Sequence, residues 1–374
     1  SEMQIVRRKG FSKIEKILKD EPYNPRCILG ATDEWNVLFG PFYLSTVESI
    51  KAAHCDQVLY AIGKTSAELG AWFDNAESGA RALCGDDQVI LVQDSSLGWV
   101  ALIGDGKAHD SHMHEGFFDL KWCAVEHVWD GDIPKRLVRL VKAAQSKTRG
   151  VAPFGIKFSF PWRVRSGDPD TSGGNTVCTD FVAWWVTRRF HCLRRLGKTL
   201  AQVTKALERE SRSVLGYSLE VRVTTDMTDV DFLSGMFVPV NGTTYWAPMP
   251  GRMMAKIGWV LTVLNETQVY QQLAGTINSF RAYMFLPFLR VFLATTMALI
   301  PEQFRHCLAK GFQAVTPGET PQHPSADTWH FFQCRYGLSI SDEETFQVTL
   351  QQARSLPYMV SSKEFETLVT RDLQ

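Results

Sequence analysis

The sequence has no surplus of charge: 40 Lys and Arg stand against 40 Asp and Glu over 374 residues. Overall basicity therefore gives no argument for a nucleic-acid partner, and any such argument must be local. No two of the eight cysteines form a C-x-x-C pair, which removes the commonest zinc-ribbon and redox signatures. Scattered thiols in a chain this long read as reduced, in an intracellular compartment. Low-complexity tracts and internal repeats are missing. Disorder is excluded as the main state by 45% hydrophobic residues against 21% charged. The opening SEMQIVRRKG lacks the apolar core of a secretory signal, so none is expected. A first residue other than Met reads as a processed or partial chain. The one apolar run near membrane length, Tyr283 to Ile300, carries Pro287 and Arg290. It reads as a buried helix pair, with membrane-surface contact as the alternative.

What is there is enough chain for two to three domains, with the charge unevenly distributed. The first 30 residues are basic and irregular. Residues 41–71 have helical apolar spacing at Leu44, Val47 and Ile50. Two short apolar runs then flank GDDQ within residues 80–96, a strand–turn–strand signal that holds an acidic pair at the turn. A third apolar run, Trp99 to Ile103, ends in Gly-Asp. Pro134 to Lys147 reads as a basic helix. SGDPDTSGGN (166–175) reads as a turn-rich loop feeding one long helix to about Leu215. Residues 188–212 of that helix carry eight Arg and Lys against Glu208 and Glu210. This basic face reads equally as solvated surface or as a contact for template phosphates. The neighbouring Trp184-Trp185 pair reads as core. Strand-like pieces continue to Pro248, and the remainder is mostly helical.

Three segments point to chemistry. Phosphoryl transfer by two metal ions needs carboxylates clustered so that the ions sit about 3.5–4 Å apart. Asp86 and Asp87 at the hairpin turn and Asp105 at a neighbouring strand end can supply them. A Gly-Asp-Asp triplet alone is weak, because Gly and Asp also favour plain turns. Asp110, five residues after Asp105, is placed to reach a ribose hydroxyl. In the third segment, Ser166, Gly167, Thr171 and Asn175 combine small hydroxyls, a flexible glycine and an amide. Such a group can approach a sugar closely and read the 2′-OH that separates RNA from DNA.

With these residues in view, the sequence resembles viral RNA-dependent RNA polymerases. SGDPDTSGGN is similar to the family's motif B pattern, S-G-D-x-x-T-x-x-x-N; DGKAHDSH is similar to motif A and CGDD to motif C. FSKIEKILKDEPYNPRCILGATDEWNVLFGPF resembles the basic motif F of tombusvirus- and nodavirus-like polymerases. There Lys13, Lys16 and Arg26 fall where the family holds the incoming triphosphate. SVLGYSLEVRV resembles motif D, and DFLSGMFVPVNGTTYWAPMPGRMMAKIGW resembles motif E and the start of the thumb. The resemblance spans roughly residues 7–260, with motif B its most specific part. The order here is C, then A, then B, which resembles the permuted palm of permutotetraviruses and birnaviruses. A hairpin begins and ends at one sheet edge, so it can move in sequence and still pair beside the same strand. Two departures stand out. Glu220 occupies the place where motif D often has a lysine, and Arg222 nearby is a poor proton donor because its pKa stays above about 12. Only a dozen residues precede Lys13, so upstream fingers elements are expected to be absent or on a missing segment.

The resemblance implies an α+β right-hand polymerase with an antiparallel palm sheet. Its expected parts are fingers at 1–78, palm at 79–130, fingers at 131–165, palm at 166–248 and thumb at 249–374. It implies a nucleotidyltransferase that adds ribonucleotides to an RNA 3′ end with two Mg²⁺ or Mn²⁺ ions. Asp86, Asp87 and Asp105 would bind the metal, Asp110, Ser166, Gly167, Thr171 and Asn175 the ribonucleotide, and Lys13, Lys16 and Arg26 the triphosphate. Implied partners are an RNA template, a primer or nascent strand, rNTPs, other viral replication proteins and a peripheral membrane contact. The implied place is a replication complex in the host cytoplasm. Two rivals are carried beside this reading. One is a zinc-dependent hydrolase built on His109, His112 and His114, with Asp110, Glu115, Asp119, Cys123 and His127 in reach. The other is a polymerase relic that binds RNA without chemistry.

Overall fold

The computed structural model describes residues 8–12, 27–53, 57–75, 80–106, 109–129, 131–165, 168–259, 263–308 and 318–373. Strands β1 (Arg8–Ser12) and β2 (Cys27–Gly30) precede helix α1 (Asp33–Ala53); β3 (Val58–Tyr60) and α2 (Ser66–Asp74) follow. Next come β4 (Arg81–Cys84), β5 (Gln88–Asp94) and β6 (Gly98–Gly106), then a one-turn helix, His109–His112. Helices α3 (Glu115–Val128) and α4 (Asp132–Ser146) lead to β7 (Thr148–Val151) and β8 (Lys157–Phe160). Helices α5 (Thr171–Arg195) and α6 (Leu200–Glu210) come before β9 (Leu219–Thr224), β10 (Asp231–Phe232), β11 (Gly235–Val240) and β12 (Thr243–Pro248). After a short helix at Pro250–Met254 the chain forms α7 (Glu266–Ser279), α8 (Leu289–Ala298), α9 (Ala326–Tyr336), α10 (Ile340–Leu350) and α11 (Lys363–Leu373). These elements divide into two compact units, one holding β1–β9 with α1 and α3–α6, the other α2, β10–β12 and the helices that follow.

The first unit is built on a five-stranded sheet in the order β3-β4-β5-β6-β9. All its pairings are antiparallel except β3 with β4. The sequence dictates its centre. Residues 89–92 (Val, Ile, Leu, Val) and 100–102 (Val, Ala, Leu) are buried without alternation, as strands covered on both faces must be. The β5–β6 turn is fixed by Asp94, whose Oδ1 accepts from the amides of Ser96 at 3.0 Å and Leu97 at 3.2 Å. Gly98 then takes a φ of 74°, where a side chain would be strained. Trp35, Phe39, Phe117, Trp122 and Phe190, from three helices, join the sheet residues in one buried core. A second sheet, β2-β1-β7-β8, pairs β1 with β7 in parallel and the other neighbours antiparallel.

Several sequence readings are corrected here. The helix expected over 41–71 begins at Asp33, capped by the Thr32 hydroxyl, which accepts from the Trp35 amide at 3.2 Å. It runs through Pro41 and ends at Ala53, and residues 58–74 form β3 and α2 instead. The long helix to Leu215 breaks at Gly197, whose φ of 72° is left-handed. A new capping box starts α6: the Thr199 hydroxyl accepts from the Gln202 amide, and the Gln202 side chain accepts from the Thr199 amide. The loop expected to reach Asn175 ends at Asp170, so residues 171–175 are already helical.

The second unit holds the antiparallel sheet β10-β11-β12. Helix α2 lies directly on β12, because Gly70 has no Cβ to strike the Thr244 backbone and the Ser66 hydroxyl donates to the Trp246 carbonyl at 2.5 Å. Strands β10–β12 fall in the same compact unit as helices α7 to α11. Arg290 interrupts the apolar run because it pairs with Glu343, whose Oε1 also accepts from the Phe288 amide at 2.9 Å. That run forms a single-turn helix at Arg281–Tyr283 and α8, rather than a helix pair. Among the described residues no helix is long and apolar enough to cross a membrane.

Candidate active site

Register decides which acidic residues meet. Gln88 of β5 pairs with Gly104 of β6, so the next positions put the Gly85–Asp87 turn opposite Asp105 and Gly106. The turn is closed by the Gly85 amide donating to the Asp87 carbonyl at 2.9 Å. On the other side of β6, Asp105 pairs in register with Glu220 of β9. Burial raises the Asp105 carboxyl pKa above the ordinary range, and the charges of Glu220 and Asp86 push it further in the same direction. Three carboxylates therefore crowd one end of the sheet, a charge arrangement that a cation would relieve.

Helix α5 crosses behind this end. Its Thr179 hydroxyl donates to the Gly85 carbonyl at 2.8 Å, and its Asn175 amide donates to Asp86 Oδ1 at 3.3 Å. Asn175 is 4% exposed. His109 completes the floor: its Nδ1 lies 2.6 Å from the Tyr217 hydroxyl. Burial lowers the His109 pKa, against the opposing pull of Asp86 and Asn175. Tyr217 is held protonated by burial and by the neighbouring Asp105 charge. Gly106 leaves room for that ring, since a Cβ there would run into the Tyr217 hydroxyl.

Beneath the start of α5 lies a buried ionic network that the sequence did not disclose. Asp168 accepts from Arg8 Nε at 3.0 Å and Nη2 at 3.3 Å. Arg165 ion-pairs with the same carboxylate at 2.8 Å, in a geometry too skewed for a hydrogen bond. Both guanidinium groups lie over the Trp35 ring, at 4.4 and 5.2 Å from its centroid. Asp170 accepts from Lys121 at 2.5 Å and from the Gln145 amide at 3.0 Å. Burial would raise the Asp170 carboxyl, but the Lys121 ammonium outweighs it and holds it below the ordinary range. The Thr171 hydroxyl donates to the carbonyls of Arg165 and Asp168, both at 2.8 Å, and so fastens the loop.

Of the site residues expected from sequence, Asp86, Asp87, Asp105 and Asn175 come together at this sheet end. Thr171 lies at the N-terminus of α5 with its hydroxyl engaged by the loop. Lys13, Lys16, Arg26, Ser166 and Gly167 lie outside the described residues, as does the side chain of Asp110. Tyr217 was not anticipated as a site neighbour, and Glu220 was noted only at the motif D position; the β6–β9 register that sets Glu220 opposite Asp105 has no sequence signal.

These contacts give the zinc reading no support. Both ring nitrogens of His114 are occupied, Nε2 by the Leu215 carbonyl at 2.7 Å and Nδ1 by the Gly116 amide at 3.2 Å. His109 is bound to Tyr217. Among the described residues no three His, Cys, Asp or Glu side chains form a metal-holding group, whereas zinc requires at least three protein ligands. Mg²⁺ makes no such demand. It keeps several waters and is held by one or two carboxylates plus substrate phosphates. Asp86, Asp87 and Asp105 offer oxygen donors alone, the chemistry Mg²⁺ takes, although among the described residues they too form no three-residue metal-holding group.

Comparison with known proteins supports the fold alone. No protein-family model matches the chain, and no curated protein matches its sequence. Among solved structures, the chain is similar to one in the X-ray structure of the birnavirus VP1–VP3 complex, with a TM-score of 0.53 and 13% identity. The match covers 79% of this chain but only 44% of that one, so this chain spans less than half of its structural neighbour. The fold is thus a mixed α and β arrangement, rich in antiparallel sheet, of the kind found in that birnavirus complex.

Proposed function

We propose that the protein is an RNA-directed RNA polymerase with a permuted palm. The observation that carries this reading is the register that brings the Gly85–Asp87 turn beside Asp105, with Asn175 hydrogen-bonded to Asp86. The hairpin β4–β5 precedes β6 in the chain and pairs beside it, as the order C, A, B requires. Likeness of fold to a birnavirus protein agrees with the sequence resemblance, which named birnavirus polymerases beside those of permutotetraviruses.

In this reading Asp86 and Asp105 are the principal ligands of Mg²⁺ or Mn²⁺, with Asp87 in support. When bound, the two ions would activate the 3′-hydroxyl and neutralise the departing pyrophosphate. Asn175 orients Asp86 and, with Asp110, faces the ribose 2′-OH. Lys13, Lys16 and Arg26 stabilise the triphosphate. Residues 249–374 serve as thumb, and the β1-containing sheet with its helices as fingers. RNA, rNTPs and other viral replication proteins are the partners, in a replication complex in the host cytoplasm. The test is incorporation of labelled ribonucleotides on a short RNA of defined sequence, with Mg²⁺ or Mn²⁺. Products complementary to the template support the reading; binding without incorporation under either metal leaves the non-catalytic relic in its place.

A further inference from the structure

Helix α5 carries a second feature, well away from its Asn175 end. Phe181, Trp184, Arg188, His191 and Arg195 recur at intervals of three and four residues, which places them on one helical face. The sequence reading assigned the Trp184-Trp185 pair to the core, and at Trp184 that assignment is overturned. Trp184 is 53% exposed, while its neighbour Trp185 is partly buried against the core. The Trp184 ring stacks on Phe181, with centroids 5.9 Å apart and an interplanar angle of 24°. The Arg188 guanidinium lies 5.0 Å from its centroid. The face opens into a surface groove of about 670 Å³ that continues past Arg195 to Leu196.

The charge of this region is only partly neutralised within the protein. Arg189 and Arg209 pair with Glu210, and Arg194 with Asp94, so three of the eight basic residues in 188–212 are ion-paired within the protein. Arg188 and Arg195 are exposed and form no ion pair among the described residues. The Arg189–Glu210 pair also draws the end of α6 against α5. There Lys205, Arg209 and Arg212 line a second, shallower groove.

We infer that this face of α5 is a binding site for single-stranded nucleic acid, separate from the catalytic carboxylates. An exposed, pre-stacked indole flanked by unpaired guanidinium groups is what base stacking and phosphate contact require together. An acidic peptide would use the arginines but gain nothing from the ring. From Phe181 to Arg195 the stripe is about 21 Å long at 1.5 Å per residue, room for roughly six stacked nucleotides at 3.4 Å each. The inference does not depend on the polymerase reading, because it concerns binding alone.

The experiment uses the whole chain and a fluorescein-labelled U12 RNA strand, with anisotropy read over a range of salt. Three probes accompany it: a T12 DNA strand, an abasic 12-mer and a poly-glutamate peptide. Trp184→Ala should weaken U12 and T12 binding about tenfold, the loss of one base stack, and leave the abasic strand unaffected. Trp184→Phe should recover most of that loss. The double variant Arg188→Ala/Arg195→Ala should weaken all three strands and lower the salt slope by about 1.4, two phosphates at 0.7 each. In a 4-thiouridine version of U12, photocrosslinks should map to residues 181–196. Unchanged U12 affinity in both variants overturns the inference, as do crosslinks confined to the Asp86–Asp105 region. Tighter binding of poly-glutamate than of U12 would overturn it in favour of a protein partner. None of these readouts involves extension activity, so a failure here and a failure of the polymerase reading remain distinguishable.

Discussion

Replacing Asp168 by alanine should destabilise the first unit more than replacing either arginine that pairs with it. Arg8 and Arg165 are each 2% exposed, and Asp168 is 6% exposed. With Lys121 and Asp170 close by, the network holds three cations against two carboxylates. Asp168→Ala would leave two buried guanidinium groups beside Trp35 without their shared carboxylate. Removing one partner of a buried pair costs about 3–5 kcal/mol, because the remaining charge is stranded. Arg8→Met is different, since Asp168 keeps Arg165 and the network becomes neutral. Its cost should be about 1.5–3 kcal/mol, that of losing hydrogen bonds to a charged group. Arg165→Met should cost least, because its guanidinium nitrogens make no hydrogen bond with good geometry. For a unit of this size about 2–4 °C accompanies each kcal/mol, so Asp168→Ala should lower the melting temperature by roughly 6–20 °C. Hydrogen exchange read by mass spectrometry should localise the loss to β1 and the first turns of α5. If Asp168→Ala melts with wild type, or Arg165→Met proves the worst of the three, the network does not hold this loop.

Three further outcomes follow from the site and its surroundings. Arg194, hydrogen-bonded at 2.6 Å, is the main reason that Asp94 ionises well below the usual carboxylate range. The resulting stability is present above the unfolded pKa of about 3.9 and is lost as pH falls toward the folded value. Thermal melts should accordingly show Asp94→Asn less stable than wild type at pH 7 and the two converging below about pH 4. Gly106→Ala should cut extension activity sharply by displacing Tyr217 from His109, with near-normal secondary structure by circular dichroism; wild-type activity would mean the pair is dispensable. Asn175→Ala and Asp110→Ala should lose preference for rNTPs over dNTPs, because a site built to bond a hydroxyl rejects the analogue lacking it. Competition assays that show unchanged discrimination in both variants would remove them from sugar recognition.

The centre of the fold was legible because local and global signals agree there. GDDQ between two apolar runs fixes a hairpin, and the Trp99–Ile103 run pairs beside it as β6. Thr171–Asn175 were read as loop because their glycines suggest turns. Gly173 in fact sits where a Cβ would strike Val47, so the glycine serves close helix packing. The break between α5 and α6 was hidden by a basic pattern that continues across Gly197. Trp184 was misassigned because helical spacing identifies a face without saying whether anything covers it. The Arg8–Asp168 pair joins residues 160 positions apart, and no periodicity or turn chemistry encodes such a contact. Glu220 was noticed only as a departure from motif D, although its register opposite Asp105 makes it part of the site's electrostatics.

The central claim is that Asp86 and Asp105 act together in metal-dependent nucleotide addition. A radiolabelled extension assay on a short RNA template, with saturating Mg²⁺ or Mn²⁺, tests it most directly when wild type is compared with Asp86→Ala and Asp105→Ala. The account predicts extension by wild type and a loss of several orders of magnitude in each variant, as expected when metal-ion catalysis is removed, with unchanged melting temperatures. Extension by either variant at near wild-type rate would contradict it.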